Sequence, residues 1–155
     1  MRQVNLVVVG AHLSDQPLNV ELRRLGAVLV GAVETAAAYR LWALDTSPPK
    51  PGLLRVRDGG APVRGEHWRL PATGLGELVA GLPTPMSIGP VELADGRVLP
   101  GFLVESVATE GVTDITAYGG WREYLAYLEG DRPRRSSMRA SRADTAASLP
   151  WSVGT

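Results

Sequence analysis

The sequence contains no cysteine. No disulfide framework, thiolate metal site or cysteine nucleophile is therefore open to it. Long apolar runs are also missing. None approaches the ~20 residues of a membrane span, and no apolar segment follows a basic one at the N-terminus, so no signal peptide is expected. The expectation is a cytoplasmic protein without membrane attachment. Neither sign of charge dominates, with 16 basic and 16 acidic residues. The Gly-Lys-Ser/Thr ending of a phosphate loop, the dinucleotide fingerprint, a Ser-His-Asp order with supporting motifs and any His-rich metal spacing are all lacking. Neither a cofactor nor a metal is expected. Aromatic residues make up only 6%, yet apolar residues reach 45%, which is a globular composition.

The balanced charge is unevenly placed. Residues 131–155 carry Arg132, Arg134, Arg135, Arg139 and Arg142 against Asp131 and Asp144, a net of +3. Residues 1–130 then hold 11 basic and 14 acidic residues, a net of −3. A body with no basic field is not expected to bind nucleic acid.

What is present starts with Val7-Val8-Val9-Gly10-Ala11-His12-Leu13. A β-branched run reads as a buried strand and ends at a glycine that permits a sharp turn or a close approach. His12 stands where the chain leaves the sheet, and its ordinary pKa lies near neutrality. A lone histidine at a strand end serves equally as a capping or core group. Backbone amides after Gly10 can converge on an anion, or simply make a tight turn.

The remaining chain reads as short strands with few helices. Residues 5–9 form the first strand. Asp15 can cap a short helix with Pro17 in its first turn, Leu18, Leu22 and Leu25 on one face, and Gly26 as its stop. Strands are predicted at 27–35, 39–44, 53–57 and 65–70, with a turn-rich connection over 45–52. Residues 72–81 suggest a helix with Leu75, Leu78 and Val79 inward, despite Gly74 and Gly76. Segments 88–93 and 97–105 flank Asp95-Gly96, the strongest hairpin signal in the chain, which should put Val91 and Leu93 on one face. Trp121, Tyr124, Leu125 and Leu128 are at helical spacing. After Gly130, Arg, Ser and Ala dominate without periodicity, and residues 131–155 read as a disordered tail. The fold class is α+β, a small mixed β-barrel with a few short helices.

Other candidate groups are Arg40, Tyr118 and three strand glutamates. Arg40 suits a carboxylate clamp at a barrel mouth, or is a solvated strand residue. Tyr118 can offer a hydroxyl to a pocket, while Trp121 suits a plug at the barrel end. Glu66, Glu92 and Glu105 could each act as acid or base if buried, and the sequence does not rank them. His67 is expected to be exposed, with Trp68 and Glu66 sharing the opposite face.

An ordered series of motifs carries a family resemblance. It runs from Gly10-Ala11-His12-Leu13 and Pro17-Leu18-Asn19 through Tyr39-Arg40-Leu41, Pro51-Gly52-Leu53 and Gly65-Glu66-His67-Trp68-Arg69-Leu70-Pro71. It continues at Ile88-Gly89-Pro90-Val91-Glu92-Leu93 and Gly101-Phe102-Leu103-Val104-Glu105, and closes at Asp114-Ile115-Thr116-Ala117-Tyr118-Gly119-Gly120-Trp121-Arg122. Over residues 4–128 this resembles the C-terminal domain of allophanate hydrolase. The resemblance implies a γ-glutamyl cyclotransferase-like fold, with Gly10-Ala11-His12-Leu13 at the place of the cyclotransferases' Tyr-Gly-Ser loop. It also implies decarboxylation of N-carboxycarbamate, the product that an amidase leaves from allophanate. His12 would be the catalytic proton donor. The small anionic substrate would sit on the 10–14 loop (Gly10, Ala11, Leu13), with Asn19, Arg40 or Tyr118 nearby.

No amidase region is present. The chain, with Met1 just before its first strand, is expected to be a stand-alone domain working beside a separate amidase. Two alternatives remain open at this point. A γ-glutamyl cyclotransferase would need a carboxylate base in the segment that here reads Leu78-Val79-Ala80-Gly81-Leu82-Pro83-Thr84-Pro85, where none occurs. A non-catalytic domain that binds or organises an amidase is the other. Truncation after Gly130 should leave the thermal midpoint essentially unchanged, whereas a drop of many degrees would show that the segment packs.

Overall fold

The computed structural model describes residues 2–137, and for 131–137 the backbone path alone. The described residues hold eight strands in two sheets. The first strand, β1 (Gln3–Val8), lies at the centre of a five-stranded sheet of order β2-β5-β1-β7-β6. Its partners are β5 (Arg64–Pro71), antiparallel, and β7 (Val98–Val104), parallel. This central position explains the unbroken apolar run of the sequence. A strand covered on both faces gains nothing from alternation, and Leu6, Val7, Val8 and Val9 are all buried.

The edge strands are β2 (Val28–Glu34), paired with β5, and β6 (Met86–Glu92), paired with β7. The β6–β7 hairpin turns through Asp95-Gly96 as predicted, with Gly96 at a φ of 92° that disfavours any side chain. Asp95 steadies the turn by accepting from the Arg97 amide at 3.0 Å and its Nε at 2.9 Å. Val91 and Leu93 are both buried.

The second sheet has the order β4-β3-β8, from β3 (Tyr39–Leu44), β4 (Lys50–Arg55) and β8 (Thr113–Asp114). Among the described residues, three α-helices, α1 (Asn19–Arg24), α2 (Ala72–Ala80) and α3 (Trp121–Ser137), and two short 3-10 helices, Ser106–Thr109 and Thr116–Tyr118, complete the fold. The core between them is built on Trp68, Tyr39, Tyr124 and a set of leucines, all fully buried. No described helix is long and apolar enough to cross a membrane.

The α+β class is the observed one, but the expected barrel is not closed. The edges β2 and β6 meet only at the single bridge between Thr35 and Leu93, flanked by two backbone hydrogen bonds, and β3 and β4 pair in a sheet of their own. Four local readings also change. The chain begins β4 at Lys50, inside the proline-rich stretch read as a connection. Asp15 caps nothing; α1 starts at Asn19 after a series of tight turns, and Asp15 instead accepts from Arg122 Nε at 2.8 Å. Val79 is 52% exposed, because the half-buried Leu75 and the buried Leu78 already fill the inner face of this short helix. The helix α3 continues to Ser137; the rest of the segment read as a tail lies outside the described residues.

The largest revision concerns His67. It was expected at the surface, yet it is 4% exposed. Alternation does put it opposite Glu66 and Trp68, but β5 lies between β1 and β2 and both its faces are covered at this point. Its Nε2 bonds Asn5 Oδ1 at 2.8 Å. Burial, helped by the positive charges of Arg97 and Arg69, pushes its pKa below the ordinary 6.5. The His12 ring is likewise held below 6.5. The unfolded chain therefore binds protons more readily at both rings. Their contribution to stability is complete above about pH 6.5 and is lost as pH falls through the lowered folded values. Thermal melts should show a falling midpoint between pH 7 and 5, ahead of carboxylate titration. His67→Gln, whose amide can still reach Asn5, should remove part of that slope; an unchanged slope would exclude His67 as its source.

Candidate functional site

The site begins where β1 ends. Tight turns fold residues 10–18 back on themselves: Leu13 donates to the Gly10 carbonyl at 3.0 Å, Gln16 to Leu13 at 2.9 Å and Leu18 to Ala11 at 2.8 Å. Gly10 is required by crowding. A Cβ there would drive into the ring of Pro51 on β4. Loop and β4 thus pack backbone against ring, which fixes the distance between the two sheets at this point.

A buried carboxylate holds the loop from below. Glu66 on β5 accepts from the Ser14 amide at 2.9 Å, Ser14 Oγ at 2.7 Å, Trp68 Nε1 at 3.0 Å and Arg122 Nη2 at 2.8 Å. Burial alone would raise its pKa, but these donors together outweigh burial and hold the carboxyl below its usual range. Arg122 comes from α3, so strand, loop and C-terminal helix meet on one anion.

His12 projects from this loop into a cavity of about 280 Å³. Its ring stacks on Phe102 of β7, centroids 4.6 Å apart and planes 12° from parallel. Nε2 lies 2.8 Å from Glu21 Oε1 on α1. A carboxylate oxygen only accepts, so Nε2 carries the proton and Nδ1 is the free nitrogen. Burial lowers the ring's pKa most strongly; the bond and charge of Glu21 oppose it, and the charge of Lys50 adds a smaller lowering. Lys50 also lines the cavity, at the start of β4. It is the chain's only lysine. Among the described residues its ammonium has no hydrogen-bond or ion-pair partner. The remaining walls are largely apolar and include Leu53, Leu78, Leu82, Met86 and Phe102.

Of the residues singled out in the sequence, Gly10, Ala11 and His12 come together on this wall. Leu13 points into the core, 1% exposed. Asn19 does not line the cavity; it is buried behind the loop, where its Nδ2 donates to the His12 carbonyl at 2.8 Å and its Oδ1 accepts from Arg23. Arg40 lies elsewhere, its Nε 2.6 Å from Asp114 and its Nη1 on the Gly59 carbonyl. Tyr118 is also remote, packed with Tyr124 and Tyr127 at ring distances of 5.2 and 5.0 Å. Glu92 pairs with Arg55, and Glu105 is exposed.

Three cavity residues escaped sequence reasoning: Glu21, Lys50 and Phe102. Glu21 had a faint signal, since it stands one helical turn after Leu18, beside the apolar stripe. Lys50 sits among prolines that read as a turn. Among the described residues, no three His, Asp or Glu side chains converge as metal ligands would. The loop anchor can be tested directly. Glu66→Gln keeps the shape but loses the charge facing Arg122, and should lower stability by about 1–3 kcal/mol in denaturant unfolding. No measurable loss would show that the four contacts to Glu66 do not hold the loop.

Comparison with known proteins identifies the fold and the family. A urea amidolyase from Lachancea kluyveri is 34% identical over 156 residues, covering 94% of this chain and 8% of that protein. The crystal structure of c4763, described as a uropathogenic E. coli-specific protein, superposes with a TM-score of 0.77 at 36% identity, covering 81% of this chain and 98% of that one. Kluyveromyces lactis allophanate hydrolase superposes with a TM-score of 0.78 at 36% identity, covering 83% of this chain and 22% of that one. The chain thus spans under a tenth of the length of the curated relative. More distant neighbours, such as an AIG2-like protein from Mus musculus (TM-score 0.55, 18% identity, 70% of this chain and 80% of that one), share the γ-glutamyl cyclotransferase-like fold alone. The family model for the allophanate hydrolase C-terminal domain matches residues 4–126, and on that match and these identities the chain belongs to the allophanate hydrolase C-terminal domain family.

Proposed function

We propose that this chain decarboxylates a small carbamate of the N-carboxycarbamate type in the cytoplasm, in sequence with an amidase. The observation that carries the reading is His12, held by Glu21 on the wall of a cavity that also contains Lys50, which has no partner among the described residues. Membership of the allophanate hydrolase C-terminal domain family supports it. The absence of any carboxylate from the cavity wall contributed by Leu78, Gly81, Leu82 and Pro83 speaks against cyclotransferase chemistry, which needs its base there.

The chemistry follows from charge. In N-carboxycarbamate two carboxylates flank one nitrogen. When that nitrogen takes a proton, the N–C bond electrons move to nitrogen, carbon dioxide leaves and carbamate remains. Lys50 takes the role of carboxylate holder that the sequence reading gave to Arg40. The amides of Ala11 and His12 meet no protein acceptor among the described residues and are available to a second oxygen.

His12 is neutral at pH 7 in the empty site, since burial lowers its pKa. An arriving dianion stabilises the imidazolium, so the ring gains a solvent proton at Nδ1 and delivers it to nitrogen. Glu21 supports the cation as it forms. The acidic form is the active one, so kcat/KM should fall as pH rises through the free ring's pKa, below 6.5. For the bound state kcat should hold to a higher pH. His12→Asn cannot exchange a proton near neutrality and should reduce turnover of freshly generated N-carboxycarbamate about a hundredfold or more, with an unchanged circular dichroism spectrum. Equal rates in the two proteins, after correction for spontaneous decay, would remove His12 from the mechanism.

A further inference from the structure

The cavity is larger and more apolar than a small dianion requires. N-carboxycarbamate is small beside a cavity of about 280 Å³ and leaves part of it unfilled. Its polar groups are also few. Lys50 supplies one positive charge, Glu21 one negative charge, and the His12 ring is neutral and already bonded to Glu21. One carboxylate is matched by Lys50. A second carboxylate is met by the amides of Ala11 and His12 and by the imidazolium that it induces, whereas a charge placed against Leu53, Leu82, Met86 or Phe102 is strongly disfavoured. An apolar group in that space loses nothing and buries surface against the same side chains.

We propose that the cavity accepts a monoanion with an apolar extension: a monocarboxylate or N-substituted carbamate carrying a short alkyl chain. The carboxylate meets Lys50 and the amides of Ala11 and His12. The apolar part runs along Phe102 toward Leu82 and Met86. This deepens the reading of the same site and rests on it only for the position of the carboxylate. Two features of the sequence fit the assignment. The segment after α2 presents Leu82 and Pro83 to the cavity, and β6 begins there with Met86, an adaptable side chain suited to apolar ligands of varied shape.

The test is a homologous series of straight-chain carboxylates, acetate through hexanoate, titrated into the full chain by calorimetry and by amide NMR. Affinity should rise about fourfold with each methylene until the cavity is full. The shifted amides should be those of Ala11, His12, Lys50 and Phe102. Lys50→Met should weaken every member by a similar factor, tenfold or more, and leave the gain per methylene intact. Leu82→Trp should stop the gain at a shorter chain, with folding of both variants checked by circular dichroism. A flat series, shifts centred away from the cavity, or no binding by any member would each overturn the proposal. Turnover of unsubstituted N-carboxycarbamate is measured separately. Turnover with a flat series refutes the apolar subsite alone; a rising series without turnover refutes the decarboxylase reading alone.

Discussion

One buried carboxylate organises the working end of this fold. Glu66 stands on β5, inside the five-stranded sheet, and receives hydrogen bonds from the loop after β1, from the indole beside it and from the guanidinium of Arg122 on α3. A buried charge is tolerated only when its lone pairs are met. Here the donors come from parts of the chain far apart in sequence, so meeting them brings those parts together. Gly10 adds the second constraint, since only the missing Cβ lets the loop rest on Pro51. With both in place, His12 has little freedom left, and Phe102 and Glu21 settle its ring.

The electrostatics of the cavity follow from that rigid frame. Burial disfavours the imidazolium, and Glu21 offsets only part of this. The ring is therefore poised to respond to the charge of whatever enters. A site that is neutral when empty and protonated when occupied by an anion couples binding to proton uptake. Lys50 reinforces both halves of this behaviour. It repels a proton from the empty site and, in the proposed reaction, draws in the anion that brings one.

Much of the frame was legible in the sequence, for identifiable reasons. The Val7–Val9 run, the Asp95-Gly96 turn and the helical spacing of Trp121 and Tyr124 are local signals, and each describes its element correctly. His12 stood out because a glycine and a strand end precede it. What failed was whatever depended on partners distant in the chain. The alternation in β5 separates His67 from Trp68 and Glu66, but it does not reveal that a central strand is covered on both faces. Arg40 and Tyr118 looked suited to a ligand until Asp114 and the tyrosine cluster claimed them. Lys50 and Glu21 were overlooked because their importance arises only when β4 and α1 are brought against the loop. The barrel was inferred from strand count, which says nothing about whether two edges make one bridge or a full ladder.

The central claim is that His12 rests neutral, with its proton on Nε2 facing Glu21, and charges only when an anion arrives. An NMR titration of the imidazole ring, with nitrogen shifts read at both positions, tests this most directly. The free protein should show an Nε2–H tautomer and a pKa below 6.5, and Glu21→Gln should lower that pKa further, because the carboxylate opposes burial. A ring that carries its proton on Nδ1, or titrates at or above 6.5 in the empty site, would contradict the account.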